Sequence, residues 1–352
     1  MILRSRKGRR GDAAAGPPLG QVAADEAATT EQLLGEIDAL GRKNRGTRDP
    51  QVERRILTLR HLAGLRLTAA SPPDPLEYPP PAFDRLSRDS ELPEVAADEP
   101  TAELLRAAIL RQGCLLVRGF VDPDEGRWLA EEIERAFAAR EARLAGESPS
   151  DGYYEEFEFD PWSENLEVNR PWIAEAGGLW VADSPRIMFE LLDLLEQRGL
   201  RRLAAEYLGE RPTLSVHKST LRKAEPTVPG AWHQDGRFMG DTRSLNMWLS
   251  LSRCGDEAPG LDLVPRRLDH IVPTGTEGAM HDNDVSPAMV ERAAGEAGII
   301  RPIFEPGDML LFDDLFLHKT GSDPDMPRPR YAVESWFFAP SSFPGDYLPL
   351  AF

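Results

Sequence analysis

The second half of the chain constrains the fold most strongly. From residue 213 onward, short apolar segments are separated by glycine and proline. Seven of them are typical of strands: TLSVHKSTLRK, SLNMWLSLS, GLDLVP, HIVPTG, IIRPIFEPG, DMLLFDD and RYAVESWFFAP. Many short strands joined by turns predict a sandwich, a jelly roll or a barrel. No GxGxxG or GxxxxGK(S/T) motif is present to indicate a nucleotide-binding fold.

The first half of the chain has mainly helical patterns. TTEQLLGEIDALGRK and DPQVERRILTLRHLAGLRL space their apolar residues by three and four, which predicts a helical hairpin with Thr30 and Asp49 as caps. TAELLRAAILRQG predicts a helix that ends at Gly113, CLLVRGF a buried strand, and DPDEGRWLAEEIERAFAAREARL a second helix that starts near Asp122 or Asp124. RIMFELLDLLEQRGLRRLAAEYLG predicts one amphipathic helix.

Composition divides the chain into three parts. Residues 1–28, rich in Ala, Gly and Pro, are expected to be mobile. Residues 29–83 would form the helical hairpin and a stiff connector, SPPDPLEYPPPAF, and residues 84–352 the strand-rich domain with its flanking helices. The aromatic and acidic stretch 152–173 lacks a period and reads as a surface loop or a lid. The N-terminal helices are candidates for self-association, for docking a carrier protein, or for bracing the domain.

Charge and composition exclude several classes of protein. The 352 residues are 41% hydrophobic, enough for a substantial core, and their net charge of −18 comes from acidic residues beyond residue 70. Such a field repels nucleic acid and anionic membranes and favours neutral or cationic small molecules as ligands. No apolar run is long enough for a membrane span and no secretory signal is visible, so we expect a cytoplasmic protein. Cys114 and Cys254 are too few for a disulfide framework and are expected to be buried thiols.

A histidine and an aspartate two residues apart stand out in AWHQDGRF. On a strand, His233 and Asp235 would project to the same face while Gln234 faces away. His318, at the end of the apolar segment DMLLFDDLFLH, is the candidate for a third ligand. Two histidines and one carboxylate form the facial triad of non-haem Fe(II) oxygenases, which leaves coordination positions open. An HxD pair alone is common by chance. The interpretation as a metal site therefore depends on separate features that agree with it, such as Arg330 at the start of RYAVESWFF.

HQD, PGDMLLFDDLFLHKTG and RYAVESWFF together resemble the phytanoyl-CoA dioxygenase family. The resemblance covers roughly residues 100–340. It implies a mainly β protein with flanking helices (α+β), built on a double-stranded β-helix (a cupin-like jelly roll), that uses Fe(II), 2-oxoglutarate and O₂. It implies that His233, Asp235 and His318 bind iron, and that Arg330, rather than Arg328, grips the far carboxylate of 2-oxoglutarate. The other residues that it places in the pocket are Thr320, Trp248, Arg222 and Lys218.

Physical chemistry supports some of these roles, and others stay open. A planar guanidinium such as that of Arg330 pairs bidentately with a carboxylate, and the hydroxyl of Thr320 could satisfy a remaining lone pair. Lys218 and Arg237 are the candidates for contact with the substrate, although a loop ion pair is the alternative for Arg237. The chain departs from the family in PRRLDH, residues 265–270, where the family has Pro-Gly-Ser-His. The remaining histidines have no ligand spacing: His61, His217, His270 and His281.

The sequence therefore predicts a dioxygenase that hydroxylates an unactivated C–H bond of a small molecule and releases succinate and CO₂. The carboxylate of Asp235 favours hydroxylation over halogenation, because the related halogenases have a small residue there. Desaturation and ring formation stay open. Two alternatives belong to other classes: a non-catalytic jelly-roll protein that binds a ligand or partner, and a cupin-like metal hydrolase or isomerase that does not depend on oxygen.

Overall fold

Two sheets of unequal size make up the β part of the molecule. The structure, a computed structural model, describes residues 25, 27–70, 77–87, 91–148, 151–158 and 169–352. The helices are α1 (Thr30–Thr47), α2 (Pro50–Ala69), α3 (Ala102–Gln112), α4 (Pro123–Leu144), α5 (Arg170–Glu175), α6 (Pro185–Gln197), α7 (Leu200–Leu208), α8 (Gly236–Met239) and α9 (Pro287–Ala294). The strands are β1 (Glu94–Ala96), β2 (Cys114–Arg118), β3 (Gly178–Trp180), β4 (Thr213–Ala224), β5 (Ser244–Ser250), β6 (Gly260–Leu263), β7 (Met309–Phe312), β8 (His318–Gly321), β9 (Arg330–Phe338) and β10 (Pro349–Ala351).

The major sheet has the strand order β1-β2-β7-β5-β9-β4-β10, with β3 paired to β4. All of its strand pairs are antiparallel except β1 with β2. The minor sheet pairs β6 with β8, and single bridges extend it to His233 on one side and Ile300 on the other. Two facing antiparallel sheets with helices on one outer side are the predicted double-stranded β-helix, so the mainly β fold class is confirmed.

The two faces of the major sheet carry different side chains, because neighbouring residues on a strand point to opposite sides. The outer face packs against α3, α4, α6 and α7 in one apolar cluster. Its strand members include Met247, Leu249, Met309, Leu311, Val333 and Phe337. The inner face points toward the minor sheet and belongs to a second cluster. Its members include Trp248, Leu310, Phe312, Ala332, Trp336 and Phe338.

The N-terminal hairpin packs against the edge of the major sheet. Thr29, one residue before the expected Thr30, caps α1 through a capping box with Gln32, and Asp49 caps α2. Helix α2 contacts β10 and α6, and Gly64 lies so close to the backbone of Pro349 that a Cβ there would be 2.8 Å from it. The buried Glu53 accepts from Arg186 on α6 at 2.9 Å. The hairpin thus packs against the domain, while bracing, self-association and carrier docking as its role, and the division at residue 83, stay predictions.

Several sequence expectations need correction. The segment predicted as one helix, residues 186–209, is split into α6 and α7 because Gly199 has a φ of 79°, in the left-handed region that glycine adopts readily. HIVPTG forms no strand, and IIRPIFEPG makes only the bridges at Ile300 and Phe304. Both segments contain a proline, which cannot donate to a strand ladder. The predictions for α3, β2 and α4 are confirmed, with Gly113 in the left-handed region and Asp122 as the α4 cap.

Some expectations fall outside the described residues. The segment 1–28, expected to be mobile, lies there apart from residues 25, 27 and 28, as do residues 71–76 of the connector and residues 159–168 of the expected loop or lid. In the part of the chain that the structure describes, no helix has the length and apolar character that crossing a membrane requires.

Candidate functional site

The HQD segment does not lie on a regular strand, contrary to expectation. His233 makes one antiparallel bridge with His318, through backbone hydrogen bonds of 3.0 and 3.1 Å. Asp235 then turns into the helical region at the start of α8. Gly230 permits this path, because a Cβ at that position would lie 2.3 Å from the backbone oxygen of Thr320. The backbone bridge to His318, rather than strand alternation alone, therefore brings the two parts of the cluster together.

His318 also differs from its expected place. Strand β7 ends at Phe312, and a turn follows in which Asp313 accepts a hydrogen bond from the backbone N–H of Leu315 at 3.2 Å. His318 then begins β8 in the minor sheet instead of ending the same strand. The turn carries the chain from the major to the minor sheet and places His318 opposite His233.

The three predicted metal ligands converge. One ligand atom from each of His233, Asp235 and His318 lies within 4.8 Å of the others. Asp235 Oδ2 is 4.0 Å from His233 Nε2 and 3.9 Å from His318 Nε2. Asp235 and His318 are buried at 8% and 5% exposure, whereas His233 is partly exposed. The cluster is thus closed toward the core and open on the side of His233.

Backbone carbonyls fix the orientation of both imidazoles. His233 Nδ1 lies 2.9 Å from the carbonyl oxygen of Ala231, and His318 Nδ1 lies 3.0 Å from that of Phe316. A carbonyl oxygen only accepts, so each Nδ1 carries the proton and each Nε2 keeps a free lone pair. Metal-binding histidines are oriented by hydrogen bonds of this kind.

Electrostatics keep His318 and Asp235 in the protonation states that a metal requires. Burial, and to a lesser extent the neighbouring His233, lower the pKa of His318 to about 4. Burial would raise the pKa of Asp235, but Lys218 and the two imidazoles outweigh it and hold that pKa well below its usual range. At neutral pH the site therefore offers a neutral imidazole from His318 and a carboxylate from Asp235. Two nitrogen donors and one oxygen donor fit ferrous iron.

Arg330 and Trp248 lie together on the inner face with unused donors. Arg330 is 2% exposed, and its Nη1 donates to the carbonyl oxygens of Gly260 at 2.8 Å and Pro259 at 3.3 Å. Its guanidinium carbon is 5.4 Å from the centre of the Trp248 ring. Arg330 Nε and Trp248 Nε1 are buried without a hydrogen-bond partner among the described residues. Unpaired buried donors are unfavourable, so an acceptor is expected to bind there.

Lys218 and Arg222 project inward from β4, but each has a carboxylate partner. Lys218 Nζ donates to Asp235 Oδ1 at 2.9 Å, which leaves Oδ2 facing the imidazoles. Arg222 Nε donates to Glu334 Oε2 at 2.9 Å and its Nη1 to the carbonyl oxygen of Ala176 at 3.2 Å. Both residues face the site as predicted, while their assignment to substrate and co-substrate stays a prediction.

The positions of Thr320 and Arg237 do not decide their roles. Thr320 lies on β8 two residues after His318, and its side chain has no hydrogen bond among the described residues. Arg237 is exposed on α8, directly after the metal-binding segment. The loop ion pair considered as its alternative is not found within the described ranges. Contact with the substrate remains a prediction for Arg237.

Sequence reasoning missed two residues of the site. Gln234 is buried, and its side chain donates to the carbonyl oxygens of Leu315 and His270 and accepts from the N–H of Val272 at 2.7 Å. These hydrogen bonds connect two further loops to the HQD segment. No local sequence pattern predicts them. Glu334 could have been found, because a charged residue interrupts the apolar run RYAVESWFF at an even spacing from Arg330.

Family comparison agrees with this geometry. The sequence profile of the phytanoyl-CoA dioxygenase (PhyH) family matches residues 109–323, more than half of the chain. The chain belongs to the phytanoyl-CoA dioxygenase family. It is therefore an Fe(II)- and 2-oxoglutarate-dependent oxygenase by family, with O₂ as co-substrate. The match includes all three candidate ligands but ends before Arg330. Among curated proteins, no sequence matches the chain.

Solved structures with similar folds include other enzymes that use these cofactors. EctD from S. alaskensis, crystallised with 2-oxoglutarate and 5-hydroxyectoine, is 19% identical over 78% of this chain and 87% of its own, with a TM-score of 0.48. The carbocyclase SnoK is 15% identical over 70% and 86%, with a TM-score of 0.45. The epimerase SnoN, in complex with Fe³⁺, alpha ketoglutarate and nogalamycin RO, is 17% identical over 67% and 82%, with a TM-score of 0.42. Similarity at this level says nothing about the substrate of this phytanoyl-CoA dioxygenase family member.

Proposed function

We propose that this protein is an Fe(II)- and 2-oxoglutarate-dependent dioxygenase that hydroxylates an unactivated C–H bond of a small molecule, with release of succinate and CO₂. The observation that carries the proposal is the convergence of His233, Asp235 and His318, with Asp235 Oδ2 3.9 to 4.0 Å from both Nε2 atoms. The free lone pairs on these nitrogens and the ionised carboxylate are the donors that ferrous iron takes.

His233 Nε2, His318 Nε2 and Asp235 Oδ2 would hold the metal. Bound iron would supply the activation of O₂ and the oxidation of the substrate. The backbone carbonyls of Ala231 and Phe316 hold the rings in place, and Lys218 holds the other oxygen of Asp235. Because Asp235 would occupy the coordination position that a halide needs, hydroxylation is favoured over halogenation.

Arg330 would anchor the carboxylate of 2-oxoglutarate that lies farther from the metal. Its Nη1 is already fixed by Gly260, whereas Nε has no partner in the described part of the chain. A carboxylate paired with that edge of the guanidinium would make charge-assisted hydrogen bonds. Trp248 Nε1 is a second donor nearby, and Thr320 could add a hydroxyl. This arrangement accounts for two buried donors that otherwise lack partners.

Succinate formation tests the proposal. Protein reconstituted with Fe(II) is incubated with 2-oxoglutarate in air, and succinate is measured for wild type, His233→Ala and Asp235→Ala. Wild type is expected to convert 2-oxoglutarate, and both variants to lose that activity, because each removes a ligand. His281→Ala is the matched control, since the His281 side chain is exposed and its ring pairs with Asp284 outside the cluster.

A spectroscopic measurement separates the remaining alternatives. Anaerobic addition of Fe(II) and then 2-oxoglutarate should give a weak visible charge-transfer band in wild type. Equal succinate formation in all the proteins would reject the ligand assignment, whereas no succinate above background together with no band would argue for the non-catalytic binding protein. Metal binding with a reaction that does not consume oxygen would instead favour a metal hydrolase or isomerase.

A further inference from the structure

Glu334 is a charged residue on the inner face of the major sheet. It lies on β9 between Ala332 and Trp336, both members of the inner cluster, and strand alternation puts it on their side. Its cross-strand neighbours are Thr220 on β4 and Trp248 on β5. The charge of Glu334 acts on His318, and that of Asp235 acts on Glu334. Glu334 therefore belongs to the same interior as the candidate metal centre.

Among the described residues, only one oxygen of Glu334 accepts a hydrogen bond. Oε2 accepts from Arg222 Nε at 2.9 Å and from the hydroxyl of Thr220 at 3.0 Å. The hydrogen bonds of Glu334 among the described residues use Oε2 and not Oε1, and the side chain keeps 25% of its surface exposed. Burial opposes ionisation, but the charge and hydrogen bond of Arg222 outweigh it and lower the pKa of Glu334. An ionised carboxylate thus presents a free acceptor to the interior.

The other charged groups of the interior already have assigned partners. Asp235 faces the metal position and Lys218, and Arg330 is assigned to the carboxylate of 2-oxoglutarate. Arg222 is bound to Glu334 and Ala176. Oε1 of Glu334 is the remaining carboxylate oxygen without a donor in this set. A group that donates a hydrogen bond and carries positive charge satisfies it best.

We propose that Glu334 is a specificity-determining residue that binds a protonated amine on the substrate through Oε1. The inference rests on the proposed function and adds the class of substrate: a small molecule with an ammonium group placed near the oxidised carbon. The acidic balance of the chain, with a net charge of −18, attracts such a cation.

A purely structural ion pair between β4 and β9 is the competing explanation. These strands already pair by backbone hydrogen bonds from Thr213 opposite Phe338 to Ala224 opposite Arg330. A structural role would require the Arg222 bond and would leave Oε1 to solvent, since the side chain is 25% exposed. The two explanations differ in whether the amine preference is lost only when the carboxylate is neutralised, or also when a hydrogen bond between the strands is removed.

Ligand binding to cobalt-loaded protein tests the inference without knowledge of the natural substrate. The full chain is loaded with Co(II) and 2-oxoglutarate without oxygen, and n-butylamine, n-butanol and butyrate are titrated at neutral pH. Paramagnetic relaxation of the probe protons reports binding near the metal. Protonated butylamine is expected to bind about tenfold more tightly than butanol, the effect of one charge-assisted hydrogen bond. Glu334→Gln should abolish that preference.

Thr220→Val is the matched variant, because it removes a hydrogen bond to the same carboxylate but keeps the Arg222 charge that holds Glu334 ionised. The amine preference should persist in this variant. Loss of the preference in both variants, equal binding of amine and alcohol by wild type, or tighter binding of butyrate would overturn the inference. The cobalt absorption band and the melting temperature show that each variant is folded and loaded. Absence of cobalt and 2-oxoglutarate binding in wild type would remove the proposed function itself, whereas intact loading without an amine preference would remove only this inference.

Discussion

The two faces of the major sheet are equally buried but chemically different. On the outer face, Leu249, Leu311 and Val333 pack against helices in an apolar cluster. On the inner face of the same strands lie Trp248 and Arg330, whose buried donors lack partners in the described part of the chain. Buried polar atoms are normally paired, so the inner face is arranged for a ligand and the outer face for stability. The two faces should therefore respond differently to substitution.

Neighbouring leucines on β7 give the largest expected effect and the most direct comparison. Leu311 is fully buried on the outer face, and its replacement by alanine should lower the free energy of unfolding by about 2 to 5 kcal/mol through lost burial and a residual cavity. Binding of Co(II) and 2-oxoglutarate to the folded fraction should not change. Denaturant unfolding and anaerobic titration measure the two effects.

Leu310→Ala is the matched substitution on the inner face. Leu310 is equally buried, but it pairs with Trp248 across β5 and β7. The loss of stability should be similar, and 2-oxoglutarate binding should also weaken, because the tryptophan ring loses a neighbour. If Leu311→Ala weakened 2-oxoglutarate binding as much as Leu310→Ala did, the functional distinction between the faces would be wrong.

The sequence predicts these faces well where regular alternation decides the contacts. The alternation in RYAVESWFF alone predicts that Arg330, Ala332, Glu334 and Trp336 share one side of the strand. The pairing of Lys218 with Asp235 is harder to predict from the sequence, because β4 has an irregularity between Leu214 and Ser219 that shifts its register. A shift of one residue exchanges the two faces of a strand, and no local pattern indicates it.

The sequence identifies the metal ligands by residue type and spacing, but it does not predict the backbone conformation that brings them together. His233, Asp235 and His318 do converge, but through a single bridge and two turns instead of two long strands. The path depends on the close approach of Gly230 to Thr320, a contact between segments far apart in sequence. The break between α6 and α7 is similar in kind, since Gly199 is compatible with both a helix and a left-handed turn.

Replacing Arg330 with methionine tests whether this inner-face residue strengthens 2-oxoglutarate binding while it lowers the stability of the ligand-free protein. Loss of the guanidinium should weaken 2-oxoglutarate binding about a hundredfold, because a buried charged partner is removed. The free energy of unfolding of the ligand-free protein should stay equal or rise, since a buried charge without a carboxylate partner is unfavourable. Anaerobic titration and denaturant unfolding report the two quantities.

Arg328→Met is the control for this substitution. Arg328 lies two residues before Arg330, but its side chain is exposed and pairs with Glu257 at the surface. It should leave 2-oxoglutarate binding unchanged. An unchanged affinity in Arg330→Met, or an equal loss in Arg328→Met, would reject the assignment of Arg330 as the carboxylate anchor.

Lys218→Met should have a smaller effect, on the metal. The ammonium holds Asp235 Oδ1 and leaves Oδ2 toward the imidazoles, and partners of this kind contribute about tenfold or more to metal affinity. The dissociation constant for Co(II) should rise about tenfold, and the cobalt absorption band should change shape as the carboxylate reorients. Lys319→Met is the control, because Lys319 lies beside His318 but pairs with Asp262. Tighter cobalt binding in Lys218→Met would show that the ammonium repels the metal instead of positioning its ligand.

The last comparison concerns Asp314, in the turn that connects the two sheets. Burial and the neighbouring Asp313 raise its pKa to about 7. The folded protein therefore resists ionisation that the unfolded chain undergoes near pH 4, so Asp314 lowers the free energy of unfolding as pH rises from about 4 to about 7. Asp314→Asn removes this loss. In metal-free protein, its melting temperature relative to wild type should increase across that interval and level off above pH 7. A constant difference would mean that the pKa of Asp314 is the same in the folded and unfolded states, and a difference that shrinks with pH would mean that folding lowers it. Buried polar groups would then lower the stability of the protein on the inner face of the major sheet, but not in the turn that contains Asp314.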